Sequence, residues 1–344
     1  MKKVMLQSAV LILAILLLAG ESTVSHAAYE ALTAAASRVI PSLFPYMVIS
    51  GITVKLGLAE GLEKIIPMKL FGLPGCTAPV LASGLLCGFP VGASASRTLR
   101  ECGRITDDEA ARLCAMSSHV SPAFYAGVIG PLFSSASFGW YLFSAGIVHA
   151  LLYGIVTGRN RKISSFTDRS AARIKAAPVP AFCSSVTEAC SSCLAVTGFI
   201  VFFRALSACI TSFIPAAEAF SAVLFEFSGG VIFASRTGGL KGFALCGFAV
   251  GFSGLSVLAQ MASYTSGAKI PFAPVICAKL TEGIFLSAAA AVFFLLFQPE
   301  SASETVGSIL PAPSAASAML PILLLFVLLA GKILRCDNKF HTGT

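Results

Sequence analysis

Residues 113–158 run for 46 positions without an Asp, Glu, Lys or Arg. One membrane-crossing helix needs about 20 apolar residues, so the run is long enough for two helices, joined near Gly130-Pro131. Charge is scarce elsewhere as well. The 344-residue chain is 56% hydrophobic and 12% charged, with a mean hydropathy of +0.86, whereas soluble domains carry about 25% charged residues. In a bilayer every backbone N–H and C=O must be paired inside the protein, which leaves helices or closed barrels. The apolar/polar alternation in segments of roughly ten residues that a barrel needs is absent. The chain is therefore read as an all-α polytopic membrane protein.

Other uncharged runs place spans at 4–20, 39–54 (interrupted by Pro41 and Pro45), 242–268 and 318–331. An apolar region at 189–217 is interrupted by Arg204, and a helix over 272–297 carries Lys279 and Glu282. Residues 58–73 mix Lys and Glu with Leu and Ile, the pattern of an interfacial segment. The linker 159–175 holds six Lys or Arg against Asp168 alone, and basic linkers stay in the cytoplasm. The chain accordingly divides into a first span and loop (1–34), a first repeat (35–158), a basic linker (159–180), a second repeat (181–299), and a loop, last span and tail (300–344). Lys2 and Lys3 ahead of the run to Gly20 resemble a signal peptide, but in so apolar a chain the run is read as an uncleaved span. The net charge of +8 is spread over short loops and reads as membrane topology rather than nucleic-acid binding. Eleven Cys scattered through apolar segments, including Cys190-Ser-Ser-Cys193, read as small packing residues rather than a metal or redox site.

Within the apolar run from Pro79 to Ser96 lies Cys87-Gly88-Phe89-Pro90-Val91-Gly92-Ala93-Ser94, which breaks a helix in its middle. Topology decides what the break means. The N-terminal Lys pair and the basic linker both belong inside, so an even number of crossings separates them. Spans at 4–20, 39–54 and two in 113–158 give four; a full crossing by 79–100 would make the number odd. This stretch is therefore read as a re-entrant hairpin, a geometry tolerated only where protein or a watery cavity surrounds it. Cys246-Gly247-Phe248-Ala249-Val250-Gly251-Phe252-Ser253 repeats six of its eight residues. Two broken segments in corresponding halves point to a transporter site. The repeat is read as inverted. Basic residues Lys332, Arg335 and Lys339 prefer the inside, however, and a full crossing by 218–235 would make the repeats parallel instead.

Several groups stand out as candidates. Thr106-Asp107-Asp108-Glu109 is a capping box and structural. Ser117-Ser118-His119-Val120-Ser121-Pro122 predicts a discontinuous helix, because Pro122 donates no backbone bond and disfavours helix at Ser121. Ser253, Ser256 and Gln260 fall on one helical face, suited either to lining a path or to joining helices. Ionisable groups in spans weigh most because burying them costs several kcal/mol: Arg204, Glu226, Lys279 and Glu282, with Lys279 and Glu282 spaced to pair. Arg97 closes the first break as an anion partner or an interface marker. No Walker loop, HExxH or GxSxG occurs, and an enzyme is not expected. No cofactor or metal is expected either.

Gly88-Phe89-Pro90-Val91-Gly92-Ala93, Arg104-Ile105-Thr106, Glu109, Arg112-Leu113 and Ser121-Pro122-Ala123-Phe124 resemble the YlbJ-type sporulation integral membrane proteins of the nucleoside-recognition (Gate) domain group. Gly198-Phe199-Ile200-Val201, Phe225-Glu226-Phe227-Ser228-x-Gly230 and Gly254-Leu255-Ser256-Val257-x-Ala259-Gln260 extend the resemblance over residues 35–300. Relatives often carry Asn where this chain has Ser118, His119 and Ser121, and a His at the place of Leu258. The resemblance implies a role in endospore formation: moving dipicolinate, a small aromatic dianion, across the outer forespore membrane, with nucleoside-type transport or a membrane scaffold as alternatives. The expected site comprises Gly88, Pro90, Gly92, Ser94, Ser96, Arg97, Ser117, Ser118, His119, Ser121, Glu226, Gly247, Gly251, Ser253, Ser256, Gln260 and Glu282. The expected partners are the lipid bilayer and a small anionic solute; a coupling ion and self-association stay open.

Overall fold

The computed structural model describes residues 2–56, 62–164 and 177–297. The span and loop expected over 300–344 and most of the basic linker lie outside the described residues.

All regular elements among the described residues are helical. Helix α1 (Lys2–Ala19) turns by 92° at Gly20 into α2 (Glu21–Ala34). A π-helical turn at Ala35–Val39 carries α2 into α3 (Ile40–Lys55) without a break. The loop expected over 21–34 is thus helix. Ala is the strongest helix former, and no Gly or Pro occurs between Glu21 and Ile40 to stop it. Pro41 and Pro45 do not interrupt α3. The widened turn just before Pro41 gives its ring room and leaves the missing N–H unneeded. The same device recurs at Tyr125–Ile129, just before Pro131.

Next come α4 (Ala78–Cys87) and α5 (Val91–Glu101), two short helices that pack on each other. At 1.5 Å per residue each is about 15 Å long, half a bilayer's apolar thickness. Then α6 (Asp107–Ser117) stops, Ser118–Ser121 is not helical, and α7 (residues 122–132) resumes at Pro122. The discontinuous helix read from the sequence is present. The next junction falls at 133–135, a few residues beyond Gly130-Pro131, where Ser135 caps α8 (Ala136–Gly158) by accepting from Phe138 N at 3.3 Å.

The same order follows in the second half. After the long α9 (Pro178–Phe213) come α10 (Glu218–Phe225) and α11 (Phe227–Thr237), a second pair of short, mutually packed helices. A second broken helix consists of α12 (Gly239–Phe252) and α13 (Gly254–Ser266), interrupted at Ser253, whose φ is +68°. The long α14 (Ala273–Phe297) closes the half. Among the described residues four helices are long and apolar enough to cross a membrane: α8, α9, α12–α13 taken together, and α14; the bent α1–α2 pair makes a fifth.

The shared octapeptide does not mark equivalent places in the two halves. In the first half its Gly88-Phe89-Pro90 is the break between α4 and α5. In the second half Ala249 replaces the proline, and α12 runs uninterrupted through Gly247 and Gly251. Those glycines serve close packing instead. A Cβ at Gly247 would stand 2.2 Å from Leu286 O, and one at Gly251 2.6 Å from Glu282 O, so α12 and α14 meet backbone to backbone. The counterpart of the first break, by order of elements, is Glu226 between α10 and α11.

Phe133, Phe138, Phe243 and Phe293 form an aromatic core where α7, α8, α12 and α14 meet, with centroids 4.5–5.2 Å apart for Phe138–Phe243, Phe133–Phe243 and Phe138–Phe293. Val148, Leu152, Val156, Ile284, Leu295 and Leu296 are exposed on α8 and α14, as a lipid-facing surface requires.

Candidate functional site: two helix breaks around a buried ionisable cluster

The first hairpin seats on the end of α6. Phe89 N donates to His119 O at 2.8 Å. Gly88 has φ +78°, open to glycine without strain, and a Cβ there would stand 2.8 Å from Ser121 N. The second hairpin meets its own broken helix in the same way, since a Cβ at Gly254 would stand 3.1 Å from Phe225 O. The two turns also meet each other: the rings of Phe89 and Phe227 stand edge to face at 5.6 Å, and Phe124 lies 4.9 Å from Phe227.

Behind these turns lies a charged cluster. Lys279 Nζ donates to Glu282 Oε2 at 2.7 Å, and His119 Nδ1 lies 2.8 Å from Glu282 Oε1. Their side chains are 0%, 1% and 4% exposed. Glu282 sits about 14 Å along a helix of about 38 Å, roughly a third of the way from its N-terminus. Ions so buried cost several kcal/mol each unless paired and hydrogen-bonded, and here one carboxylate serves two partners. The Lys279 ammonium also lies 5.9 Å over the Phe89 ring, a cation–π contact that ties it to the first hairpin. Gly146 on α8 leaves room for the cluster: a Cβ there would stand 3.8 Å from His119 Nδ1 and 3.9 Å from Glu282 Oε1. His149, on the same helix, pairs with Thr281 at 3.1 Å.

The residues singled out by sequence scatter around this centre in distinct roles. His119 and Glu282 are in it, and Gly88, Pro90 and Ser121 build the turn and break beside it. Gly92 lies against Ser117 O, which a Cβ would approach to 2.4 Å. Ser96 and Ser117 spend their hydroxyls on carbonyls of their own helices, Gly92 O and Leu113 O, both at 2.7 Å. Ser118 faces Cys114 at 3.8 Å. Glu226 is buried and caps α11, accepting from Ser228 N at 3.1 Å, Gly229 N at 3.0 Å and the Ser228 hydroxyl. Ser253 bonds Val250 O at 2.9 Å, and Gln260 donates to Ser256 at 3.4 Å while its Oε1 has no partner.

Two expected residues lie elsewhere. Arg97 is not in the cluster; it pairs with Glu101 at 2.7 Å on the exposed side of α5, because two turns of helix carry it away from the Gly88 turn. Ser94 lines a separate open cleft between α3, α5 and α9, with Lys55 and Glu188 paired in its wall at 2.7 Å. The aromatic contact of Phe89 with Phe227 was not legible beforehand; its only trace is a Phe directly after each turn residue, Gly88 and Glu226.

The charged residues at the start of α6 are structural. The capping box holds: Glu109 N donates to Thr106 Oγ1 at 3.2 Å, and Thr106 N donates to Glu109 Oε2 at 2.8 Å. Glu109 also accepts from Ser164 N at 2.9 Å, and Arg112 donates to Phe71 O at 2.7 Å and Gly72 O at 3.0 Å.

Long apolar helices enclosing paired ionisable groups define a multi-pass integral membrane protein. Among known proteins the chain is similar to the sporulation integral membrane protein YlbJ of Bacillus subtilis (strain 168), at 26% identity over 307 residues, covering 75% of this chain and 73% of YlbJ. No protein-family model matches the chain, and no solved structure matches it.

Proposed function

We propose that the protein transports a small anionic solute during endospore formation, with dipicolinate as its substrate, across the mother-cell-derived outer forespore membrane. In this reading α4–α5 and α10–α11 are re-entrant hairpins of two Gate-like, inverted repeats. One observation carries the reading: the first short-helix turn and the first helix break meet at a buried His119–Glu282–Lys279 cluster, and the second turn reaches it through Phe227 on Phe89. A chain that served only as scaffold would have no use for ions at that depth, since well-packed apolar residues are as stable or more so.

The chemistry suits a dianion. Half-helices that begin at membrane depth present free N–H groups and the positive end of the helix dipole; α5, α7 and α13 begin at the breaks. Lys279 adds a cation next to the first turn. The cluster is buried beneath the turns, so in this reading the Phe89–Phe227 contact opens to admit a solute.

The test is uptake into proteoliposomes holding the full chain, with dipicolinate compared against uridine. Saturable dipicolinate uptake that Glu282→Gln abolishes is the expected result. Uptake of uridine alone would transfer the site to nucleosides. Normal dipicolinate content in spores lacking the protein, with a defective coat or cortex, would overturn transport altogether.

A further inference from the structure

His119 has one ring nitrogen more than its hydrogen bond uses. Nδ1 faces Glu282 Oε1 at 2.8 Å, while the other Glu282 oxygen accepts from Lys279. An ionised carboxylate only accepts, so Nδ1 carries the hydrogen. Nε2 then stands as a bare acceptor, buried and without a partner. The His119 side chain borders a narrow gap lined by Leu85, Val120, Tyr125, Phe143, Gly146 and Ile147. An unpaired acceptor at such a place costs free energy, and once protonated Nε2 becomes an N–H donor whose natural partner is an arriving anion.

Resting on the transport reading, we propose that His119 Nε2 is the proton-binding site of a proton-coupled carrier, so that the anionic solute moves together with a proton. The proton forms an N–H bond at Nε2 on one side of the membrane and returns to water on the other; no other bond changes. With His119 neutral, the Lys279 and Glu282 charges cancel; with His119 protonated, the cluster carries one net positive charge. A net charge in a dry site is costly, and an arriving anion removes that cost. Each ligand therefore favours the other, which is the reciprocal coupling a symporter needs.

The neighbours allow this. The titratable groups facing the cluster are Lys279 on α14, His149 on α8 and Tyr125 on α7, with Cys114 on α6 and Cys246 on α12 behind them. His149 Nε2 is engaged by Thr281, and the Tyr125 hydroxyl lies at the same Gly146 opening as His119 and Glu282. The first hairpin contributes its Phe89 ring and no charge.

The experiment uses full-length protein in proteoliposomes, with membrane potential clamped to zero and radiolabelled dipicolinate at equal concentration on both sides. An imposed gradient, acidic outside, is expected to raise the internal concentration about tenfold per pH unit for one proton per solute. His119→Gln is expected to bring that ratio back to one. Dipicolinate that exchanges across the membrane but never accumulates under the gradient overturns the proton coupling and leaves transport standing. Accumulation that persists in His119→Gln overturns the assignment to His119. No exchange at all in the wild type overturns both readings.

Discussion

His119 and Glu282 lie 163 positions apart in the chain and 2.8 Å apart in the structure. Their bond ties the break between α6 and α7 to the first half of α14, and Lys279 completes the set from one turn before Glu282. Lys279→Met should leave a buried carboxylate with one neutral partner and cost about 3–5 kcal/mol. Lys279→Met combined with Glu282→Gln should recover much of the loss. Denaturation of the four proteins of this cycle in detergent measures the coupling, and strictly additive losses would show that the pair is not formed.

The backbone contact of α12 with α14 tolerates no side chain at Gly251, where a Cβ would stand 2.6 Å from Glu282 O. Gly251→Leu should lower stability by about 1–3 kcal/mol or prevent folding, through overpacking. Gly198→Ala on α9, where nothing lies within 4 Å, should leave stability unchanged or raise it by up to about 1 kcal/mol, because Ala favours helix. Thermal unfolding in detergent compares the two, and equal midpoints would contradict the close approach.

Joining the hairpin turns should stop transport. Phe89 and Phe227 are in ring contact at 5.6 Å, so Phe89→Cys and Phe227→Cys together should accept a short methanethiosulfonate bridge. Bridged protein is expected to lose dipicolinate uptake and to regain it on reduction. Undiminished uptake in bridged protein would mean that the turns need not separate.

Arg112 holds the irregular segment before α4 through the carbonyls of Phe71 and Gly72. Arg112→Lys keeps the charge but not the fork that reaches two carbonyls. The loss should be about 1.5–3 kcal/mol of local stability, read as faster amide hydrogen exchange across residues 68–73. Unchanged exchange there would rule out the anchoring role.

Much of this was legible in the sequence because its signals are local. Uncharged runs, the capping box at Thr106, the interruption at Ser118–Ser121 and the spacing of Lys279 from Glu282 each depend on neighbours a few residues away, where helix geometry alone fixes the outcome. The octapeptide shared by the two halves misled for the complementary reason. Its letters match, but a single Pro-to-Ala difference at position 249 lets the helix continue, and its glycines then answer to α14 rather than to a turn.

The sequence by itself therefore determined the class of protein and the place of its long apolar helices, since hydration of the peptide group and backbone sterics leave a chain this apolar few options. Only the tertiary structure decided which ionisable groups share a site. It put His119 beside Glu282 and brought Phe89 onto Phe227. Those pairings join distant parts of the chain, 163 residues apart for His119 and Glu282, and depend on how helices rotate and pack against one another. No periodicity within a single helix specifies that rotation.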